Sequence, residues 1–144
     1  DKPIPPAPDR FDAGPQIALF AVDDRHHARF NGMVSELSEA GLRLMTTWPC
    51  VVEAAYLLEP PQRYELLRWI ERGGAVVYPF AAHDLRDIVR WMHRYTETGK
   101  REMDLADASL YWLATETGIT EIMTTDVADF SRYRLPDGRT FSLL

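Results

Sequence analysis

Six carboxylates stand out by type and position: Asp12 in FDAGPQ, Glu53 in WPCVVEAAYLL, Asp104 and Asp107 in EMDLADASLYWLA, and Asp126 and Asp129 in TTDVADF. Gathered in one place, ionised carboxylates repel, and two like charges ~4 Å apart cost about 4 kcal/mol at an effective dielectric of ~20. Such a cluster takes up protons or binds a cation. An all-oxygen donor set suits a hard divalent ion, Mg2+ or Mn2+, rather than zinc or copper. That ion can polarise a phosphodiester, activate water and stabilise the leaving oxygen, so the chemistry within reach of these residues is metal-dependent hydrolysis.

Glu53 lies in a segment apolar nearly all round, with no lysine or arginine within helical reach. A buried, isolated carboxylate must be neutralised, paired or metal-bound, whereas a surface glutamate on one exposed helix face needs no such explanation. Asp104 precedes an apolar periodic run and suits a helix cap as well as a ligand. Asp107 lies one turn further in, where capping does not account for it. At this spacing the two share a helix face with Ala108 and Tyr111, while Leu110, Leu113 and Ala114 point the other way.

A nucleic-acid substrate needs positive charge nearby. Arg86, Arg90 and Arg94 recur every four residues and make a helical stripe able to meet successive RNA phosphates. The alternative is a solvated face paired with Asp87 and Glu97. Lys100 and Arg101 form a second, weaker candidate. His26 and His27 are adjacent, about 100° apart on a helix, so they mark a helix start rather than a chelating pair.

The elements that must position these residues follow a βα rhythm. Strands are expected near Arg10–Ala13, Arg43–Thr46, Ala75–Tyr78, Glu121–Thr124 and Thr140–Leu143. Helices are expected over His26–Ala40, Trp48–Leu58 capped by Thr47, Pro61–Arg72, Asp84–Thr96 and Leu105–Thr117, each bounded by cap residues, prolines or glycines. In a parallel α/β sheet, ligands bind beyond the carboxyl ends of the strands. Each acidic candidate stands just after a strand or in the helix that follows one.

The chain of 144 residues, 46% hydrophobic, is long enough for one domain. Residues 1–10 hold four prolines and read as an extended arm, leaving 11–144 as the folded domain. A net charge of −6 argues against coating nucleic acid by bulk positive charge. Cys50, the single cysteine, excludes a disulfide framework and reads as core. No apolar run approaches the ~18 residues of a membrane span and no secretion signal is evident, so a cytoplasmic location is expected. The tryptophans and tyrosines recur beside leucines at helical intervals and read as core or dimer packing rather than base-stacking platforms.

FDAGPQIALFAVDDRHH, TTWPCVVEAAYLL, MDLADASLYWLA and IMTTDVADFSRYR, in this order, resemble the successive elements of PIN-domain ribonuclease toxins of the VapBC toxin–antitoxin type. The resemblance runs from about Phe11 to the end of the chain. It implies a three-layer α/β/α fold on a five-stranded parallel sheet. It also implies that Asp12, Glu53, Asp107 and Asp126 hold magnesium or manganese, with Asp104 and Asp129 as auxiliary carboxylates. The expected activity is endoribonucleolytic cleavage of structured RNA such as tRNA by a homodimer, blocked by a cognate antitoxin across the groove. A catalytically inactive PIN-like binding module is the competing reading.

Overall fold

Strands β2 (Arg43–Thr46) and β4 (Glu121–Thr124) each carry three consecutive buried residues, the pattern of strands covered on both faces. Both pair in parallel with β1 (Ile17–Ala21), which lies between them. The edges are β3 (Val76–Val77) beside β2 and β5 (Ser142–Leu143) beside β4, giving the parallel order β3-β2-β1-β4-β5. The computed structural model describes residues 39–97, 101–124 and 126–144, the backbone of 17–21, and a few positions between 32 and 36.

The helices bounded among the described residues are α1 (Trp48–Leu57), α2 (Pro60–Glu71), α3 (Leu85–Tyr95), α4 (Leu105–Thr117) and the short α5 (Val127–Arg132), with a 3-10 turn at Ala82–Asp84 before α3. Pro49 and Pro60 sit in the first turns of α1 and α2, where a missing N–H costs nothing. Gly118 closes α4 in the left-handed conformation, at φ 76°, and its N–H donates to the Ala114 carbonyl. Gly74 permits a close approach: a Cβ there would collide with the Trp69 ring.

The core gathers on α4. Every residue from Ala106 to Ala114 is buried, so through this stretch the side of α4 carrying Asp107 and Tyr111 is covered as well as the side carrying Leu110 and Leu113. Its Leu110 and Leu113 pack with Met45, Ile88, Ile122 and Phe130. Each such side chain removed from water contributes roughly 1.5–3 kcal/mol. Aromatic rings extend this core: Trp91 lies 4.7 Å from Tyr111, and Tyr133 and Phe141 meet the Phe130 ring edge-on at 5.1 and 5.2 Å. Cys50 is buried as expected, and burial pushes its thiol up to about 12, leaving it inert.

Five strands do pair in parallel, but the expected three-layer α/β/α PIN-like fold on a full five-stranded parallel sheet is corrected. The protein is mixed α/β but helix-rich, and its extended pairing is sparse: β3 and β5 are two residues long and each meets its neighbour through two residue pairs. Helices α2, α1, α4 and α3 contact one another in succession, and α1 and α4 both meet β1. The physical reason lies in the edge segments. Gly73-Gly74 and Pro79 hem in β3, and a turn at Pro136–Gly138 precedes β5, leaving little chain free to extend. The strand expected near Arg10–Ala13 and the helix expected over His26–Ala40 lie largely outside the described residues; the first strand described is Ile17–Ala21.

Candidate metal centre

Helices α4 and α5 begin alike. Asp104 caps α4, its Oδ1 accepting the Asp107 backbone N–H at 2.8 Å. Asp126 caps α5, its Oδ1 accepting the Asp129 N–H at 3.4 Å. The phrases DLAD and DVAD thus encode one local structure twice, with an aspartate at the cap and another three residues on. The partial positive charge of a helix start favours both carboxylates. Asp126 is fixed further by its own N–H, which donates to Thr124 Oγ1 at the end of β4 at 2.9 Å.

The two helix starts converge. Carboxylate oxygens of Asp107, Asp126 and Asp129 lie within 4.8 Å of one another. They gather beyond the carboxyl end of β4, beside the point where strand order reverses between β1 and β4. Burial, then the charge of Asp104, pushes the Asp107 carboxyl up to about 8, against a hydrogen bond from the Tyr133 hydroxyl at 2.8 Å. Burial, then the hydrogen bond with and charge of Asp129, pushes Asp126 up to about 6. Glu53 is raised by partial desolvation, then by Asp104 and Asp126, so it belongs to the same electrostatic neighbourhood.

Asp129 behaves oppositely. Burial pushes its carboxyl up, but hydrogen bonds from Asp126, Arg132 and Arg101 outweigh that and hold it below the usual range. The Arg132 Nε lies 3.0 Å from its Oδ1 and the Arg101 Nη1 3.3 Å from the same oxygen.

Asp107, Asp126 and Asp129 are therefore brought together as expected, with Asp104 and Glu53 beside them. Glu53 is exposed, which corrects the expectation of a buried carboxylate. Its helix shows Trp48, Val52 and Tyr56 to solvent as well, on the same side, so the apolar surroundings read from the sequence do not enclose it. Glu53 and Asp104 instead border an open groove of about 760 Å3 lined by Trp48, Val52, Tyr56 and Phe80. Thr47 stands at the cap position of α1 without capping it. Its hydroxyl lies 2.6 Å from Ser109 Oγ on α4. Asp12 lies outside the described residues, as do His26 and His27. Arg86, Arg90 and Arg94 are exposed on α3, and Arg90 pairs with Asp87 at 2.8 Å, as a solvated face would. Trp91 and Trp112 are core, whereas Trp48 is half-exposed.

Two residues escaped the sequence reading. Tyr133 holds Asp107, a contact across 26 positions that leaves no local signal. Arg132 holds Asp129 at helical spacing, and the Asp-x-x-Arg of DFSR could have disclosed it. The segment carrying both is pinned from behind: the hydroxyls of Tyr95 and Tyr111 donate to the Arg134 carbonyl.

The donor set is all carboxylate, partly buried and repelling, which fits Mg2+ or Mn2+ and not a softer metal. Among known proteins, no family model and no curated sequence matches this chain.

Proposed function

We infer that the chain is a metal-dependent endoribonuclease, related to the PIN-domain toxins its sequence resembles, with an antitoxin as its physiological inhibitor. The observation that carries this reading is the meeting of Asp107 and Asp126 from two separate helix starts, with Asp104 and Glu53 alongside. Carboxyls raised by burial and then by one another's charge mark a place where a cation is favoured.

Asp107 and Asp126 would hold a magnesium or manganese ion, with Glu53, Asp104 and Asp12 completing the set. When bound, the ion supplies a Lewis acid for the phosphodiester and a more acidic water. The protein's own part is positional: the caps aim the carboxylates, and Tyr133 keeps Asp107 in one orientation. The exposed apolar residues Trp48, Val52, Tyr56 and Leu105 suit a protein partner, either the antitoxin or a second copy in a homodimer. No helix among the described residues is long and apolar enough to cross a membrane. A cytoplasmic site of action accords with an RNA substrate.

The test is cleavage of bulk tRNA and mRNA by purified, antitoxin-free protein with Mg2+ or Mn2+, with EDTA, and with Asp107→Asn. Metal-dependent cutting that both EDTA and the variant abolish supports the nuclease. Absence of both cleavage and manganese binding at millimolar metal would favour the inactive binding module.

A further inference from the structure

The three carboxylates that meet at the site are not equivalent. Asp107 receives a neutral donor, the Tyr133 hydroxyl, and Asp126 receives backbone N–H. Asp129 instead receives two guanidinium groups on one oxygen, from the half-exposed Arg101 and the more enclosed Arg132. A carboxylate already compensated by two cations gains little from a third, and a metal ion there would lie against two positive side chains.

We propose that Asp129 anchors Arg101 and Arg132 as a phosphate-binding pair at the edge of the metal centre and is not itself a metal ligand. This rests on the nuclease reading and names how that site would grip the RNA backbone. Arg101 is 48% exposed, and its bond to Asp129 engages one of the five guanidinium donors, leaving others for a phosphate oxygen. Arg132 is held more firmly: its Nε is on Asp129, its Cζ lies 5.0 Å from the Tyr133 ring centre, and its buried Nη2 has no hydrogen-bond partner. The unmet donor sits on a side chain fixed to the same aspartate as Arg101, one residue from the tyrosine that holds Asp107. The pair would set positive charge where the scissile backbone must approach a site of excess negative charge. The exposed stripe on α3 has no such tie to the acidic centre among the described residues.

Two measurements separate the roles. Manganese affinity is titrated calorimetrically in wild type, Asp129→Asn and Asp107→Asn, with circular dichroism and a melting curve to verify folding. Binding of bulk tRNA is measured at several salt concentrations with Ca2+ in place of Mn2+ to prevent turnover, in wild type and in Arg101→Gln, whose exposed position makes misfolding no concern. The expected result is manganese affinity within about threefold of wild type for Asp129→Asn but lost for Asp107→Asn. Arg101→Gln should lower the magnitude of the logarithmic salt slope by about 0.7–0.9, one phosphate contact. Loss of manganese affinity in Asp129→Asn equal to that in Asp107→Asn, or an unchanged salt slope in Arg101→Gln, overturns the proposal and leaves the nuclease reading standing. Unchanged manganese affinity in Asp107→Asn overturns the nuclease reading, and the proposal with it.

Discussion

The Tyr133 hydroxyl donates to Asp107 Oδ2 at 2.8 Å, joining the end of α5 to the first turn of α4 inside the core. If Asp107 is a ligand as proposed, loss of the partner that orients it should cost about 10- to 100-fold in metal affinity. Tyr133→Phe keeps the ring in its aromatic cluster and removes only the donor. Manganese affinity should fall about tenfold or more, as read by calorimetry, with the circular dichroism spectrum unchanged. Wild-type affinity would show that Asp107 is oriented without it.

Asp104 caps α4, and one substitution can separate that role from the metal-binding role proposed for it. Asparagine is as good a cap as aspartate, whereas alanine forfeits about 0.5–2 kcal/mol. Asp104→Asn should therefore keep the wild-type melting temperature yet weaken manganese binding, and Asp104→Ala should lower both. Equal manganese affinity in wild type and Asp104→Asn would confine Asp104 to capping.

The pH dependence follows from the raised carboxyls. Asp107, held at about 8, and Asp126, at about 6, keep protons in the folded protein that the unfolded chain has already released. Where the native state binds more protons, stability falls as pH rises. Their contribution is fully present below the unfolded value of 3.8 and is lost as pH climbs through about 6 and about 8. Asp129 is shifted the other way and adds nothing to the slope in this window. The metal-free protein should melt at a lower temperature at pH 8.5 than at pH 5.5, and Mn2+ should raise the melting point more at the higher pH, because binding requires the ionised forms. A flat profile between those values would show that the cluster ionises without hindrance.

Ser109 Oγ donates to the Ala106 carbonyl at 2.7 Å, so its one proton is spent and the bond to Thr47 must be donated by Thr47. Ser109→Ala strands a buried hydroxyl and should cost about 1–3 kcal/mol, whereas Thr47→Val should cost about 1 kcal/mol. Urea unfolding of the double variant should give less than the sum of the two. Simple additivity would mean the hydroxyls do not interact.

Local signals carried the parts of the fold that local physics decides. Strands β2 and β4 and helix α4 occur at the expected residues because apolar runs, an aspartate cap and a terminal glycine all agree there. The cap at Asp104 was legible for the same reason, whereas the matching helix start at Asp126 was not, since no helix was expected after Thr124. The scaffold was less legible. β3 and β5 are cut to two residues by flanking turns, a competition that periodicity does not weigh. Glu53 is exposed against expectation because its apolar neighbours Trp48, Val52 and Tyr56 are themselves exposed, which a preference for burial cannot anticipate. The tyrosine behind Asp107 belongs to long-range packing and has no signature along the chain.

The burial of α4 from Ala106 to Ala114 has a dynamic consequence. A helix with solvent on one side can fray or open while its domain stays folded, but one surrounded by core can be exposed only by dismantling its neighbours. Backbone amides from about Leu110 to Ala114 should then exchange with solvent deuterium only through global unfolding, at the slowest rate in the molecule. Asp107 lies near the start of that protected stretch. The centre it contributes to is thereby coupled to the stability of the whole domain and should disappear in a single step with the last of its structure.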